Sequence, residues 1–261
     1  MQVIIQRDEQ AAARLVARLV SRALRAKPQL VLGLATGRTM EDVYRELVRA
    51  HREERLDFSL CRAFNLDEYV GLPPGDPNSY RHFMNRHLFD QVNIDPRNTH
   101  LPDGMAGDLR AECERYERTI RDCGGIDLQL LGIGVDGHIG FNEPLSALRS
   151  RTRDKALTPT TLRQNAAYFG SVERVPRRGI TMGVGTILDS RSCILLATGA
   201  EKAPVVARAV EGPITAMISA SALQLHPQCC VVVDEAAAAE LRETEYYRWI
   251  YANEPEWAEF R

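Results

Sequence analysis

The fold can be read from the stretch LVLGLATGRT, residues 30–39, in which a wholly apolar run passes into a glycine-containing turn. An apolar run of this length indicates a strand that is covered on both faces of its sheet. Residues 10–26 before it carry apolar side chains at helical spacing, and Pro28 ends that helix. Residues 40–50 after the turn are again predicted to be helical. The segment therefore predicts the order helix, strand, glycine loop and helix.

The same alternation continues along the chain. Strands are predicted at residues 61–66, 127–133, 193–197 and 229–233, with a short segment at 179–182, and helices at residues 79–89, 109–123 and 201–210. Apolar strands that alternate with amphipathic helices are typical of a doubly wound, mainly parallel, Rossmann-like sheet with helices on both faces. We therefore expect an α/β fold and a single domain over residues 1–261. Any ligand should bind beyond the carboxyl ends of the strands.

Charge and composition exclude several kinds of partner. The 261 residues include 33 basic and 35 acidic side chains, for a net charge of −2, and no apolar run approaches the roughly 18 residues that span a bilayer. We expect a cytoplasmic protein that binds neither membrane nor nucleic acid and that holds any anionic ligand by local groups. The six cysteines form no C-x-x-C pair, so we expect reduced thiols and no metal site.

Residues 145–178 depart from the alternation, since they are rich in Arg, Ser and Thr and show little apolar periodicity. A long polar segment of this kind is usually a lid over a site or a surface between subunits. A solvated insertion without function is the alternative.

The first polar cluster at a strand end consists of Thr36, Gly37, Arg38 and Thr39. Gly37 permits a tight turn, the following helix offers unpaired N–H groups at its positive end, and the threonine hydroxyls add donors. These features suit a phosphate monoester, although the loop matches neither the Walker motif nor G-x-G-x-x-G. A simple helix N-cap at Thr36 is the alternative.

The second cluster places Asp67 and Glu68 directly after a buried strand. Successive residues there point in opposite directions, so the two carboxylates are not expected to share one role. One can face the ligand as a general base while the other caps or pairs. A turn-forming aspartate is the alternative.

The third cluster is GIGVDGHIGFNEP, residues 132–144, in which four glycines leave a strand end open to a ligand. His138 lies between Asp136 and Glu143 in this loop. A nearby carboxylate fixes the tautomer of an imidazole and favours its cationic form, which suits acid/base catalysis near neutral pH. A structural histidine with satisfied hydrogen bonds is the alternative.

These clusters lie in motifs that resemble the glucosamine-6-phosphate deaminases of the glucosamine/galactosamine-6-phosphate isomerase family. The resemblance runs from the first strand to the C-terminal tail. Three long motifs carry it: LGLATGRT at 32–39, FNLDEYVGLP at 64–73 and LLGIGVDGHIGFNEP at 130–144. Four shorter motifs add to it, namely SRTR at 150–153, GVGTILD at 183–189, GAEKA at 199–203 and LQLHP at 223–227. The related 6-phosphogluconolactonases and sugar-binding regulator domains share the sheet, but they do not resemble FNLDEY or GHIGFNEP in this form.

The resemblance implies an enzyme that converts glucosamine 6-phosphate and water to fructose 6-phosphate and ammonia, with no metal or organic cofactor. In this family the sugar ring opens, a proton moves from C2 to C1, and the resulting imine is hydrolysed. His138 matches the ring-opening acid/base, oriented by Asp136 and Glu143. Asp67 matches the carboxylate that takes the C2 proton, and Lys202 matches the phosphate-binding lysine.

One position departs from the family's pattern. The family's lid carries a phosphate-binding arginine two residues after an asparagine, whereas here Asn165 is followed by Ala166 and Ala167. Two guanidinium groups are candidates to replace it, Arg38 in the phosphate loop and Arg163 on the lid. We favour Arg38, because an arginine fork binds phosphate through two donors.

The resemblance also implies regulation. Hexameric members of the family bind N-acetylglucosamine 6-phosphate between subunits, and Ser146, Arg153, Lys155 and Tyr247 match residues of that effector site. Met1 lies near the expected position of the terminal amine. An allosteric homo-oligomer is therefore expected, with a hexamer favoured.

Two other functions stay open at this point. A deaminase or isomerase of a related hexosamine phosphate, such as galactosamine 6-phosphate, differs at one hydroxyl group that the sequence does not resolve. A non-catalytic sugar-phosphate sensor is disfavoured, because Asp67, Asp136, His138 and Glu143 are all present. In addition, no helix-turn-helix or basic stretch precedes residue 30.

Overall fold

The computed structural model describes all 261 residues. Its ten strands are β1 (Gln2–Gln6), β2 (Val31–Leu34), β3 (Arg62–Asn65), β4 (Asp67–Tyr69), β5 (Thr99–His100), β6 (Leu128–Leu131), β7 (Arg153–Ala156), β8 (Arg178–Thr181), β9 (Ser192–Ala197) and β10 (Cys229–Asp234). Its eight α-helices are α1 (Glu9–Ala26), α2 (Arg38–Glu54), α3 (Tyr80–His87), α4 (Leu109–Asp122), α5 (Pro159–Phe169), α6 (Val184–Leu188), α7 (Ala203–Val210) and α8 (Thr244–Asn253).

Seven strands form the main sheet, in the order β1-β10-β9-β6-β2-β3-β5. All of its pairings are parallel. The chain runs outward from β2 through β3 to β5, and then crosses to β6, β9 and β10 on the other side. The winding therefore reverses between β2 and β6, which confirms the predicted doubly wound sheet. Ligands bind at such reversals, beyond the carboxyl ends of the strands.

The central strands are buried along their whole length, as their continuous apolar sequences predict. Every residue of β2, β6 and β10 is buried, and α1 packs against both β10 and α2. Gly33 in β2 lies directly beneath the buried side chain of Gln129, where a Cβ would come within 2.0 Å of Gln129 Oε1. Only glycine permits this close approach between neighbouring strands.

A second sheet of three antiparallel strands, β4-β8-β7, was not predicted from the sequence. It contains the segment 179–182, which the sequence had placed in the main alternation and which forms most of β8. Thr181 of β8 is paired with Asp67 of β4 and with Arg153 of β7. The sheet escaped prediction because β4 has only three residues and β7 is polar and half-exposed. Antiparallel strands with one solvated face do not show continuous apolar runs.

The polar segment 145–178 is more ordered than its weak periodicity suggests, since it contains β7 and α5. The side chain of Thr158 caps α5 by accepting a hydrogen bond from Thr161 N, and Gly170 ends the helix in a left-handed conformation. The apolar side chains of α5 join a small core of six residues, Tyr69, Phe141, Leu157, Leu162, Phe169 and Val175. Cap residues at both ends, rather than periodicity, mark this helix.

The sequence also did not predict two short elements inside the chain, β5 and α6. The other differences lie at the ends of the chain and of its helices. Neither β1 nor α8 was predicted, and the helix predicted at 201–210 begins as a 3-10 turn, Ala200–Lys202, before α7. No helix combines the length and the apolar character needed to cross a bilayer. All six cysteines are free, and five of them are buried.

Candidate active site

A cavity of about 790 Å³ opens where the winding of the sheet reverses. Residues that follow β2, β3, β6 and β9 line it, so it lies at the carboxyl ends of four parallel strands. The predicted site residues that line it are Thr36, Gly37, Arg38, Thr39, Asp67, His138 and Lys202. Asp136 and Glu143 do not line the cavity, but both contact His138. The three polar clusters of the sequence therefore meet at one place.

The loop after β2 leaves the amino end of α2 open beside the cavity. Gly37 is the N-cap residue, with a φ of 109°, and no side chain caps the helix. This backbone conformation favours glycine, because a Cβ would be strained there. The alternative reading, in which Thr36 caps the helix, is wrong. Unpaired N–H groups and the positive end of the helix dipole thus make a local anion site.

Lys202 and Arg38 add positive charge to this end of the cavity. The side chain of Lys202 is 14% exposed. Burial lowers the pKa of Lys202, and the charges of Glu201 and Asp136 only partly oppose this effect. Arg38 is exposed and lines the cavity, whereas Arg163 is exposed and does not line it. Of the two candidate replacements for the missing lid arginine, only Arg38 lies at the cavity.

The side chains of Glu68 and Asp67 point in different directions, as the alternation of successive residues along a strand predicts. Glu68 Oε1 accepts hydrogen bonds from the backbone N–H groups of Tyr69 at 2.8 Å and Tyr80 at 3.0 Å. Its Oε2 accepts one from the N–H of Arg81 at 2.9 Å. Glu68 therefore caps the amino end of α3 and holds the segment that follows Asp67.

Asp67 is only 5% exposed, yet its carboxylate lines the cavity and makes no hydrogen bond or ion pair within the protein. Burial raises the pKa of Asp67 well above its usual value, and the neighbouring charge of Glu68 adds to this effect. A carboxylate in this setting is a stronger base than an ordinary aspartate. Because no protein group occupies its oxygens, it can take a proton from a molecule bound in the cavity.

His138 lies in the loop after β6, and its Nδ1 is held between two carboxylates. Asp136 Oδ1 lies 2.6 Å from Nδ1, and Glu143 Oε2 lies 3.5 Å from it. Burial acts to raise the pKa of Asp136, but the hydrogen bond from His138 and the charge of its ring hold that pKa below its usual value. Glu143 is fixed in turn by Thr158, whose backbone N–H donates to Oε1 at 3.1 Å and whose hydroxyl donates to Oε2 at 3.2 Å.

The donor atoms of Asp136, His138 and Glu143 all lie within 4.8 Å of one another, a spacing that also suits a metal ion. Hydrogen bonds account for the same spacing, since Nδ1 is bonded to Asp136 and both oxygens of Glu143 are bonded to Thr158. The arrangement is that of an acid/base imidazole with two supporting carboxylates.

Helix α5 supplies five lining residues that the sequence did not predict, namely Thr161, Gln164, Asn165, Tyr168 and Phe169. Asn165 Nδ2 donates a 2.8 Å hydrogen bond to the hydroxyl of Tyr69, and the ring of Phe169 packs edge-on against Tyr69 with centroids 5.4 Å apart. The helix caps at Thr158 and Gly170 were the available signal. They place residues 165, 168 and 169 on one helical face.

The four predicted effector residues do not form one cluster within the chain. Arg153 and Lys155 lie two residues apart on β7, and Ser146 is buried in the loop before it. Arg153 Nη1 donates to Asn142 Oδ1 at 2.8 Å, while its Nη2 is buried without a partner. Tyr247 lies on α8, which packs against β1 at the edge of the main sheet.

Comparisons with known proteins agree with this geometry. The model of the family described as glucosamine-6-phosphate isomerases/6-phosphogluconolactonase matches residues 6–232. A glucosamine-6-phosphate deaminase of Arthrobacter sp. is 52% identical over 257 residues, which are 98% of this chain and 99% of that protein. One from Hahella chejuensis is 52% identical over 250 residues, 96% of this chain and 95% of that protein.

Solved structures show the same relationship. A structure described as a monomeric glucosamine-6-phosphate deaminase has a TM-score of 0.91 and 43% identity, and covers 92% of this chain and 100% of its own. The 6-phosphogluconolactonase of Trypanosoma brucei has a TM-score of 0.72 at 20% identity, over 92% of this chain and 98% of its own, and so shares the fold. On its sequence and its fold, the chain belongs to the glucosamine-6-phosphate isomerase/6-phosphogluconolactonase family.

Proposed function

We propose that this protein is a glucosamine-6-phosphate deaminase, which converts glucosamine 6-phosphate and water to fructose 6-phosphate and ammonia. One observation carries the proposal: Asp67 and His138 line the same cavity as the open amino end of α2 and Lys202. A carboxylate base, an acid/base imidazole and an anion site are the groups that isomerisation of a sugar phosphate needs. Curated relatives 50–52% identical over nearly the full chain carry this name.

In this proposal His138 opens the sugar ring. Asp136 accepts the hydrogen bond from Nδ1–H, which leaves Nε2 of the neutral ring as the proton acceptor. Nε2 takes the proton of the C1 hydroxyl, and a proton is returned to the ring oxygen as the C1–O bond to that oxygen breaks. Asp136 and Glu143 stabilise the imidazolium between these steps. A proton transfer by a positioned side chain contributes about 10² to 10⁴ in rate.

Asp67 then moves a proton within the open-chain sugar. Its carboxylate takes the proton from C2 and delivers it to C1, while the amine nitrogen loses a proton and the aldehyde oxygen gains one. The C1 aldehyde thus becomes an alcohol and the C2 amine becomes an imine. Its raised pKa favours proton abstraction, and its free oxygens favour both transfers. Water adds to the imine carbon, and ammonia leaves to give the 2-ketone, fructose 6-phosphate.

The phosphate group is bound at the other end of the cavity. The N–H groups at the start of α2 and the hydroxyls of Thr36 and Thr39 donate to its oxygens, and Lys202 supplies a positive charge. Arg38 supplies the bidentate contact that the lid of this chain lacks at Ala167. This assignment is supported by the uncapped helix end and by the position of Arg38 at the cavity.

Residues 145–178 act as the lid of a single domain over residues 1–261. In support, five residues of α5 line the cavity, and Asn165 holds the helix to Tyr69. The small core of Tyr69, Phe141, Leu157, Leu162, Phe169 and Val175 keeps the lid packed on the β4–β8 sheet. The solvated-insertion alternative does not explain this packing.

Ammonia release from glucosamine 6-phosphate tests the activity. Wild-type protein should release ammonia and form fructose 6-phosphate, Asp67→Asn should be nearly inactive, and Asp122→Asn, the same change at an exposed residue, should match wild type. Galactosamine 6-phosphate in the same assay separates the two epimers. Binding of the sugar phosphate without release of ammonia contradicts the enzyme and identifies a sensor.

Assembly and regulation form a second part of the proposal. The protein forms a homo-oligomer, with a hexamer favoured, that binds N-acetylglucosamine 6-phosphate through Ser146, Arg153 and Lys155 of one copy and Tyr247 of another. The buried, unpaired Nη2 of Arg153 supports a ligand at this place, and the position of Tyr247 on α8 requires a second copy. A relative at 43% identity is described as monomeric, so the fold alone does not dictate assembly.

Sedimentation equilibrium and substrate titrations test this part. We expect an oligomer, sigmoidal kinetics, and a shift toward hyperbolic kinetics when N-acetylglucosamine 6-phosphate is added. A monomer with hyperbolic kinetics that the effector does not change contradicts it. The catalytic assignment would be unaffected, since it depends on one chain.

A cytoplasmic location completes the proposal. Six free cysteines, five of them buried, suit a reducing compartment. Fractionation of cells that express a tagged chain tests the location.

A further inference from the structure

A second cavity, of about 480 Å³, lies at the opposite edge of the main sheet from the active site. It is lined by the second half of α4, by residues 125 and 126 just before β6, and by Ser190 just before β9. These are the amino ends of strands whose carboxyl ends form the active site. The two cavities share no lining residue. A cavity of this size accommodates a small ligand.

The deepest charged group in this second cavity is Glu117, which is already fully paired. Glu117 Oε1 accepts hydrogen bonds from the N–H of Thr152 at 2.9 Å, from the hydroxyl of Thr152 at 2.7 Å and from the hydroxyl of Thr186 at 2.5 Å. Glu117 therefore joins two segments of the fold and does not require a ligand.

The other two acidic side chains of the cavity are also paired. Glu114 forms an ion pair with Arg110 at 3.3 Å, and Asp189 forms one with Arg151. Glu117 has an arginine partner as well, Arg121, so each acidic side chain that lines the cavity is paired with an arginine.

Arg118 lacks an acidic partner, and Arg121 has only a distant one. Arg118 makes no hydrogen bond or ion pair, and Arg121 Nη1 lies 3.9 Å from Glu117 Oε2, beyond hydrogen-bond distance. They are three positions apart on α4, so they lie on the same face of the helix. Because the three acidic side chains pair with Arg110, Arg121 and Arg151, Arg118 leaves one unbalanced positive charge at the cavity.

Ser190 provides an independent observation. It is 6% exposed, it lines the cavity, and its hydroxyl oxygen is buried without a hydrogen-bond partner. His226 Nε2 donates to the backbone oxygen of Ser190 at 2.8 Å, which holds the residue in place. A buried hydroxyl without a partner is unfavourable unless a bound molecule accepts its hydrogen bond.

We propose that this cavity is a binding site for a small oxyanion, a phosphate ester or a carboxylate. Arg118 and Arg121 supply charge-assisted hydrogen bonds, and Ser190 supplies a neutral donor at the floor of the site. Arginine forks match both kinds of oxyanion. The site is separate from the proposed deaminase reaction, and its occupancy does not depend on turnover.

Calorimetric titration with inorganic phosphate, and separately with succinate, tests the site. The titrations use the full chain carrying Arg38→Ala and Lys202→Ala, so that phosphate binding at the active site is suppressed. We expect saturable binding of one ion per chain. Adding Arg118→Gln and Arg121→Gln should weaken it about tenfold or more, because two charge-assisted contacts are lost. Ser190→Ala should weaken it severalfold.

A charge-matched control is Arg7→Gln with Arg97→Gln, which alters two exposed arginines outside both cavities and should leave binding unchanged. Saturable binding of either probe that requires Arg118 and Arg121 supports the site, and the preferred probe identifies the class of oxyanion. Absence of saturable binding for both probes overturns the proposal. Binding that the control pair weakens equally also overturns it, since general charge then explains the result.

Discussion

Asp136 accepts a 2.6 Å hydrogen bond from Nδ1 of His138, at the carboxyl end of a strand beside the reversal of the sheet. The bond keeps Asp136 ionised, because together with the charge on the ring it outweighs the burial that would raise the pKa of that carboxyl group. It also settles which ring nitrogen faces the substrate, since Nδ1 is occupied. The acid/base function that we propose for His138 therefore depends on a residue that does not line the cavity.

Asp136→Asn should lower kcat/KM for glucosamine 6-phosphate by about 10² to 10⁴. An asparagine retains the size of the side chain, but it loses the charge that stabilises the imidazolium. The measurement is steady-state ammonia release, with thermal unfolding to show that the variant is folded. Asp122→Asn is the matched exposed control. A variant with wild-type kinetics would assign Asp136 a structural role only.

Asp67→Asn should abolish nearly all activity and, at neutral pH, stabilise the protein by about 1 kcal/mol or more. The buried carboxylate of Asp67 has no partner, so its ionisation is unfavourable in the folded state. Because the folded-state pKa is raised, the folded protein binds a proton that the unfolded chain has lost. The free energy of unfolding of the wild type therefore decreases relative to that of Asp67→Asn. The decrease occurs as the pH rises from the ordinary pKa of aspartate through the raised pKa of Asp67.

Chemical denaturation of both proteins across that pH window measures the difference. The two stabilities should converge at low pH, where Asp67 is protonated in both states. Wild-type kcat/KM should fall on the acid side as Asp67 takes up a proton. A stability difference that does not change with pH would mean that ionisation of Asp67 is not the cause.

The sequence predicts those parts of the site that follow buried strands, because local patterns carry the information. Asp67 and His138 follow apolar runs, and parallel pairing brings such ends to one edge of a sheet. Local patterns do not reveal the contribution of α5. Asn165 is held at the cavity by its hydrogen bond to Tyr69, which lies almost 100 residues earlier in the chain. Likewise, the cap formed by Glu68 depends on where α3 lies, which only tertiary packing decides.

Glu68→Ala should destabilise the protein by about 2 kcal/mol. The substitution leaves the backbone N–H groups of Tyr69, Tyr80 and Arg81 without the carboxylate that accepts from them. Denaturant unfolding measures the loss, with the exposed Glu114→Ala as control. Since α3 follows Asp67 closely, kcat should also fall severalfold. Equal stability of the two variants would show that water replaces the cap.

Arg38→Ala should raise KM for glucosamine 6-phosphate about tenfold to a hundredfold, with a smaller change in kcat. The guanidinium group lies at the cavity beside the amino end of α2, where we propose that it takes the place of the arginine that the lid lacks at Ala167. Arg163→Ala is the matched control, because Arg163 lies on the lid outside the cavity. An unchanged KM for Arg38→Ala, or an equal rise for Arg163→Ala, contradicts the assignment.

Asn165→Ala and Tyr69→Phe should each raise KM severalfold, and their effects should not add in the double variant. The 2.8 Å hydrogen bond from Asn165 Nδ2 to the Tyr69 hydroxyl holds α5 over the cavity, and either change removes it. A buried hydrogen bond of this kind contributes about 0.5–1.5 kcal/mol, so the coupling energy of the cycle should lie in that range. Both residues also line the cavity, and each therefore has effects of its own on substrate binding. The double-mutant cycle cancels these separate effects. If the two changes in KM were fully additive, the hydrogen bond between Asn165 and Tyr69 would not hold the lid.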